Sequence, residues 1–207
     1  MDEHEQLRAY YEREALLGVR GAAPRRRAGL RTRVVHQLLA ERRASVIDVG
    51  AGPASDAGAF TAVGLDYTAV DLARANGRRA RTAGYDFLQA SAMSLPIRTS
   101  AVDAAWTMSM LMHLTERDGA RVVDELHRVV RPGGLSVIGV WGCEREERIA
   151  GSNEVVELPR PFYLRPMSRN RQMLARLGTV ESQERWAGAS PDWDYQVFCV
   201  RTGAPGG

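Results

Sequence analysis

The chain has 207 residues, 44% hydrophobic and 26% charged, the mix of one ordinary globular domain; this excludes a collagen-like, a largely disordered or a disulfide-scaffold protein. No run approaches the roughly 18 apolar residues of a membrane span, and the opening MDEHEQLRAYYEREA has no apolar core, so neither a membrane partner nor a secretory leader is expected. Net charge is +3, yet all 28 basic residues are arginine, which removes every mechanism that needs a lysine amine, such as a Schiff base.

Residues near 3–17 read as a short helix with Leu7, Tyr10, Tyr11 and Leu17 toward one side, and a GVRGAAP break follows. A second helix is predicted over about 28–43 from the spacing of Leu30, Val34 and Leu38. Arg25, Arg26, Arg27, Arg31, Arg33, Arg42 and Arg43 cluster there, as a solvated face or a phosphate-binding face would require. SVIDVG reads as a buried first strand, AGPASDAGAFTAVG as a turn and helix, LDYTAVD as a second strand, LARANGRRARTAG as a helix and YDFLQASA as a third strand. VDAAWTMSM barely alternates, as expected of a fourth strand covered on both faces. TERDGARVVDELHRVV is a helix stopped by Arg131-Pro132-Gly133-Gly134. GLSVIGVWG is a fifth strand, RNRQMLARLG a helix, and VESQERW with YQVFCVRT a final antiparallel pair; the tail TGAPGG is expected to fray. This alternation predicts an α/β protein: a Rossmann-like doubly wound sheet, mostly parallel, with a C-terminal antiparallel strand pair and N-terminal helices.

The strongest chemical feature is Asp48-Val49-Gly50-Ala51-Gly52-Pro53-Ala54, set between a strand and a helix. Gly50 and Gly52 permit positive φ and let a ligand approach bare backbone. The helix after them offers unpaired N–H groups, with Pro53 suited to its first position. Asp71 ends the next strand about twenty residues on, where such folds place an acid for ribose hydroxyls. The small residues run 50, 52, 54, with Ser55 where a dinucleotide fingerprint wants glycine or alanine. An adenosine cofactor other than a dinucleotide fits this spacing better.

With VIDVGAGPA at 46–54, YTAVDLA at 67–73, LQASAMSLPIRTSAVDAAWTMSMLMHL at 88–114 and ELHRVVRPGGLSVIGVW at 125–141, the chain resembles the class I S-adenosylmethionine-dependent methyltransferases, in particular their small-molecule members similar to the ubiquinone-biosynthesis and sugar N-methyltransferase groups. The resemblance implies S-adenosylmethionine as cofactor and S-adenosylhomocysteine as product. It implies that Gly50, Ala51 and Gly52 meet the methionine half through backbone, that Asp48 supports that loop, and that Asp71 takes the ribose hydroxyls with Leu72 on the adenine. Ser91, Ala92 and Met93 fall where the family reads the adenine edge, and Met108 is counted with the cofactor set. Serine at 91 departs from the family's common aspartate, losing charge assistance on one hydrogen bond, a loss of about 1 kcal/mol.

His113, just after the fourth strand, stands where related enzymes place an active-site histidine, as a general base or a packing group. Tyr11 is the second catalytic candidate, from a helix that in such families closes over the cofactor. Arg160 and Arg165, in a long insert with Phe162 and Tyr163, could hold an acidic substrate, and Trp141 an aromatic wall. The expected layout is one domain, 1–207: a helical cap at 1–44, a cofactor-binding core at 45–141, a lid insert at 142–167, and a helix with antiparallel strands at 168–202. Cys143 and Cys199 make no ligand-spaced cluster, so no metal is expected, and both read as reduced thiols of a cytoplasmic protein. The expected substrate is a small metabolite, in a setting such as bacterial secondary metabolism, with the protein a monomer or homodimer. Nucleic-acid modification by the basic stretch and cofactor binding without catalysis stand as alternatives. An Asn-Pro-Pro-Tyr-like element is missing after the fourth strand, where Met108-Ser109-Met110-Leu111 stands, which counts against methylation of a flipped base.

Overall fold

The computed structural model describes residues 3–20, 25–152, 155–188 and 192–204. Residues 21–24 of the expected GVRGAAP break and the last three residues of the tail lie outside them.

Strands β1 (Ser45–Val49), β2 (Asp66–Asp71), β3 (Asp86–Gln89), β4 (Val102–Met108), β5 (Val130–Cys143), β8 (Gly178–Ala187) and β9 (Trp193–Thr202) form one sheet in the order β3-β2-β1-β4-β5-β9-β8. The first five run parallel, and β9 lies antiparallel between β5 and β8. Strands β6 (Glu147–Ser152) and β7 (Pro159–Leu164) form a separate antiparallel hairpin within the expected lid insert. The helices are α1 (Glu3–Leu17), α2 (Arg25–Ala40), α3 (Ala57–Thr61), α4 (Arg74–Thr82), α5 (Glu116–Val129) and α6 (Met167–Leu174), with a 3-10 turn at Leu111–His113.

Both faces of the sheet are covered. Val46, Trp106 and Val137 enter one core with Leu30, Val34 and Leu38 of α2. Ile47, Val49 and Ile138 enter the other with Val122, Leu126 and Val129 of α5. That apolar stripe, each residue fully buried and worth about 1.5–3 kcal/mol, fixes α5 on the sheet. Thr115 caps its start, accepting the Asp118 amide proton at 3.2 Å. Val130 already pairs with Val102, so Arg131-Pro132-Gly133-Gly134 lies in the opening of β5 and α5 passes directly into the strand. Gly134 is needed there because a side chain would meet the Asp103 carbonyl at 2.6 Å.

Two local readings change. Helix α2 spans Arg25–Ala40, starting and ending earlier than its apolar spacing predicts. Helix α3 has only five residues and begins at Ala57, so Pro53 is not its first residue. Ala54 stands at φ +59°, a left-handed turn that no helix crosses, and the turn is anchored at Asp56. Leu17 is exposed, while α1 buries Leu7, Tyr10, Glu14 and Ala15. No helix among the described residues is long and apolar enough to cross a membrane. No group of three or more His, Cys, Asp or Glu side chains among them is placed to hold a metal.

Candidate active site

Strand order reverses between β1 and β4, and in open α/β sheets a crevice forms beyond the strand ends at such a point. A cleft opens there, lined by Val49 and Gly50 after β1, Asp71 and Leu72 after β2, Ala90 to Met93 after β3, and Ser109 and Met110 after β4. These make the floor. Gly50 takes φ +75°, and a Cβ there would lie 2.7 Å from the Met110 side chain. Gly52 takes φ +59°, and a Cβ there would collide with the Arg20 guanidinium, which lies across the loop. At Gly50 the packing itself demands bare backbone; at Gly52 the positive φ does, since the Arg20 guanidinium is the far end of a side chain that can swing aside.

Asp71 joins the floor's turns. Its Oδ2 accepts from the Gly52 amide at 2.8 Å, and its Oδ1 from the Ala73 amide at 2.9 Å and Asn76 Nδ2 at 3.1 Å. Those bonds fill three of the carboxylate's roughly four acceptor positions. One further donor from a ligand fits directly; a second must displace one of the three. Beneath the loop, Asp48 is buried and accepts from the Tyr67 hydroxyl at 2.6 Å. Burial pushes its carboxyl up to about 7, with the Asp56 charge adding, against the Tyr67 hydrogen bond and Arg27. Asp56 is buried as well, and it accepts from Arg27, from Arg31 at 2.7 Å and from Trp106 Nε1 at 2.9 Å. Arg27 and Arg31 stand four apart on α2, so one helix face delivers both to the same acid. Arg33 pairs with Glu184, and Arg43 with Glu41. Four of the seven clustered arginines thus meet this chain's own carboxylates.

The roof is α1 together with the β6–β7 hairpin. Tyr11, His4, Leu7 and Arg20 enter the cleft from the N-terminal side, and His113 and Leu114 from the 3-10 turn. His113 is buried, and its Nδ1 lies 2.8 Å from the Pro161 carbonyl of β7. A carbonyl only accepts, so Nδ1 carries the proton and Nε2 accepts from the Tyr11 hydroxyl at 2.6 Å. Burial drives the imidazole pKa down to about 3; the Arg160 and Arg20 charges push the same way, against the Pro161 bond. Burial likewise raises Tyr11 to about 12. The pair is a neutral, fully bonded unit at physiological pH.

The structure thus brings Gly50, Asp71, Leu72, Ser91, Ala92, Met93, Tyr11 and His113 around one cleft. Ser91 Oγ accepts the Met93 amide proton at 3.3 Å, closing the turn after β3. Asp48, Ala51 and Gly52 support the floor and do not line the cleft. Met108 lies in the core, 3.6 Å from the Tyr195 hydroxyl, while Ser109 and Met110 take the cleft. Arg165 is buried and spent on the Leu114 carbonyl at 2.7 Å and the Tyr163 carbonyl at 3.3 Å, so it ties hairpin to turn. Trp106 is core, and Trp141 packs edge-on against Tyr195. Arg20 carries no sequence signal and was reached only through the fold.

Residues 47–138 match the family described as "Methyltransferase domain". A methyltransferase of uncharacterised function from Mycobacterium sp. (strain KMS) is 37% identical over 101 residues, which are 47% of this chain and 39% of the relative. The chain thus spans about two fifths of the length of that curated relative. Among solved structures, an S-adenosylmethionine-dependent methyltransferase from Methanosarcina mazei superposes with TM-score 0.73 at 15% identity, covering 83% of this chain and 98% of the other. The 1,6-didemethyltoxoflavin-N1-methyltransferase of Burkholderia thailandensis, solved with its substrate and S-adenosylhomocysteine, superposes with TM-score 0.65 at 21% identity, covering 90% and 93%.

Proposed function

We propose, for a chain that belongs to the class I S-adenosylmethionine-dependent methyltransferases, that it transfers the methyl group of S-adenosylmethionine to a small molecule held between floor and roof. One observation carries this reading: bare glycine backbone, the Asp71 carboxylate and the Arg20 guanidinium converge on one cleft where the strand order reverses. The group fits these residues. Asp71 has an acceptor position for a ribose hydroxyl, Leu72, Ala92 and Met93 offer an apolar face to adenine, and Arg20 over Gly52 offers a cation to the amino-acid carboxylate. When bound, the donor supplies an electrophilic methyl carbon on a sulfonium, so the protein's task is positioning and orientation.

Tyr11 and His113 serve that task. His113 is a positioning residue in this reading: its Nε2 is taken by Tyr11 and its Nδ1 proton by Pro161, which fixes the phenol against the cleft. A small-molecule acceptor is supported by the Burkholderia relative, whose bound substrate is one. It is also supported by Arg27, Arg31 and Arg33 of α2 and by Arg43 beyond it, which pair with this chain's own acids.

The test is calorimetric titration with S-adenosylmethionine, S-adenosylhomocysteine and NAD. Binding of the first two with none of NAD is expected; silence toward both adenosyl ligands overturns the reading. Asp71→Asn should weaken S-adenosylhomocysteine binding by about 10- to 100-fold, the scale of charge-assisted hydrogen bonds.

A further inference from the structure

Nearly every polar side chain that lines the cleft already has a partner in the protein. Tyr11 and His113 bond each other, and Pro161 holds the second imidazole nitrogen. Asp71 accepts from three donors of the floor, and Arg20 has Glu14 at 3.7 Å. Ser91 Oγ accepts from the Met93 amide, and Ser109 Oγ lies 3.0 Å from the Tyr195 hydroxyl. His4 differs. It lines the cleft and is half-buried, yet its ring makes no hydrogen bond, ion pair or ring contact with any described residue.

The run of α1 says which part of the floor His4 covers. His4, Leu7 and Tyr11 share one face of the helix at helical spacing, and all three line the cleft. On the adjoining face, Glu12 Oε2 accepts the Ala75 amide proton at 3.0 Å, at the start of α4. Nearer the N-terminus, Glu5, Arg8 and Ala9 border a groove with Leu72 and Gln89, at the ends of β2 and β3. Followed back toward its first turn, the helix therefore crosses from α4 over the ends of β2 and β3. That course carries His4 toward the turn where Ser91, Ala92 and Met93 line the cleft. Tyr11 turns instead to the β4 side through its bond to His113.

Leu72, Ala92 and Met93 are the residues that offer adenine an apolar face. Adenine carries an exocyclic amino group that donates hydrogen bonds, and enclosing it without an acceptor costs free energy. A neutral imidazole has one nitrogen that accepts. With no partner in the protein to fix the tautomer of His4, an arriving ligand sets it.

We propose that His4 reads the adenine of the methyl donor from the roof, with one ring nitrogen accepting from the exocyclic amino group. The inference rests on the methyl-donor reading above. It makes the first turn of α1 a determinant of which base is accepted, while the ends of β2 and β3 supply the surface on which that base lies.

The experiment measures Kd by calorimetry for S-adenosylhomocysteine and for its 6-deamino analogue, in which hydrogen replaces the amino group. The wild-type protein should prefer the amino-bearing ligand by about fivefold or more, the scale of one hydrogen bond. His4→Phe keeps a ring of similar size and removes the acceptor. It should lose that preference by weakening S-adenosylhomocysteine alone, with the analogue held within about twofold; the retained analogue affinity shows that the variant is folded. His4→Gln, whose amide oxygen accepts, should recover part of the preference. Two results overturn the inference and leave the methyl-donor reading standing. One is a wild-type protein that binds the two ligands equally. The other is a preference that persists in His4→Phe, even with both ligands weakened; its loss in Ser91→Ala would then give the amino group to the turn after β3. Failure of the wild-type protein to bind S-adenosylhomocysteine at all overturns the underlying reading, and the inference with it.

Discussion

On the floor of the cleft, Gly50, Asp71 and Ser91 stand at or just beyond the ends of adjacent strands, and hydrogen bonds within and between their turns hold them in place. In the roof, Tyr11, His113 and Arg160 reach one another from segments 102 and 149 residues apart, through side chains alone. The floor keeps its charge in buried, answered pairs such as Asp56 with Arg27 and Arg31. The roof holds an imidazole that resists protonation and a guanidinium, that of Arg160, with no acid partner among the described residues. A rigid, paired surface suits a ligand whose shape never varies; an unpaired one suits a ligand that supplies its own charge.

The comparison breaks most visibly at Asp56. Asp56→Ala would leave two guanidinium groups and the Trp106 indole N–H without their acceptor, at a cost of about 3–5 kcal/mol, so the thermal midpoint should fall by about 10 °C. A shift under a degree or two in a melting scan would show that the floor does not depend on this pair. A smaller loss is expected in the roof. Tyr11→Phe removes the hydroxyl that His113 Nε2 accepts from, costing about 1–3 kcal/mol. The wild-type kcat should show no acid limb near pH 6.5, because the imidazole titrates at about 3; a limb there that His113→Gln abolishes would restore a general base.

The finest test sets floor against roof by pH. Asp48, raised from 3.8 to about 7, stabilises the fold below pH 3.8 and loses that contribution as pH rises through 7. His113, lowered from 6.5 to about 3, stabilises it above pH 6.5 and loses that contribution as pH falls through 3. Between about pH 4 and 6.5 the two slopes have opposite sign and cancel. Asp48→Asn removes the first, so its stability relative to wild type should fall on acidification from pH 6.5 to 5, by at most about 1.4 kcal/mol per unit. Melting curves at those two pH values check this; parallel curves would show that the pair does not compensate.

The floor was legible because its signals are local: a β-branched strand, glycines that tolerate positive φ, an acid at the next strand's end. Even there, local reading misplaced what depends on register. Met108 points into the core, and the cleft falls to Ser109 and Met110. The short α3 followed from Ala54 turning left-handed, a conformation its side chain does not advertise. Arg27 and Arg31 were visible as a basic cluster, but their partner is a buried acid at least 25 residues on, and nothing in helix spacing names it. In the roof, Tyr11 and His113 could be nominated singly. Their bond, and the backbone carbonyl of Pro161 that sets the tautomer, arise only when distant segments meet.

Helix α1 is fastened to the hairpin near its two ends by ion pairs open to solvent, Arg148 with Glu3 at 2.8 Å and Arg13 with Glu157 at 3.2 Å. Such exposed pairs contribute about 0–1 kcal/mol each, and dissolved ions weaken them further. Salt therefore loosens only the rim of this cover, while buried Leu7 and Tyr10, the Tyr11–His113 bond inside it and the buried charges of the floor stay out of its reach.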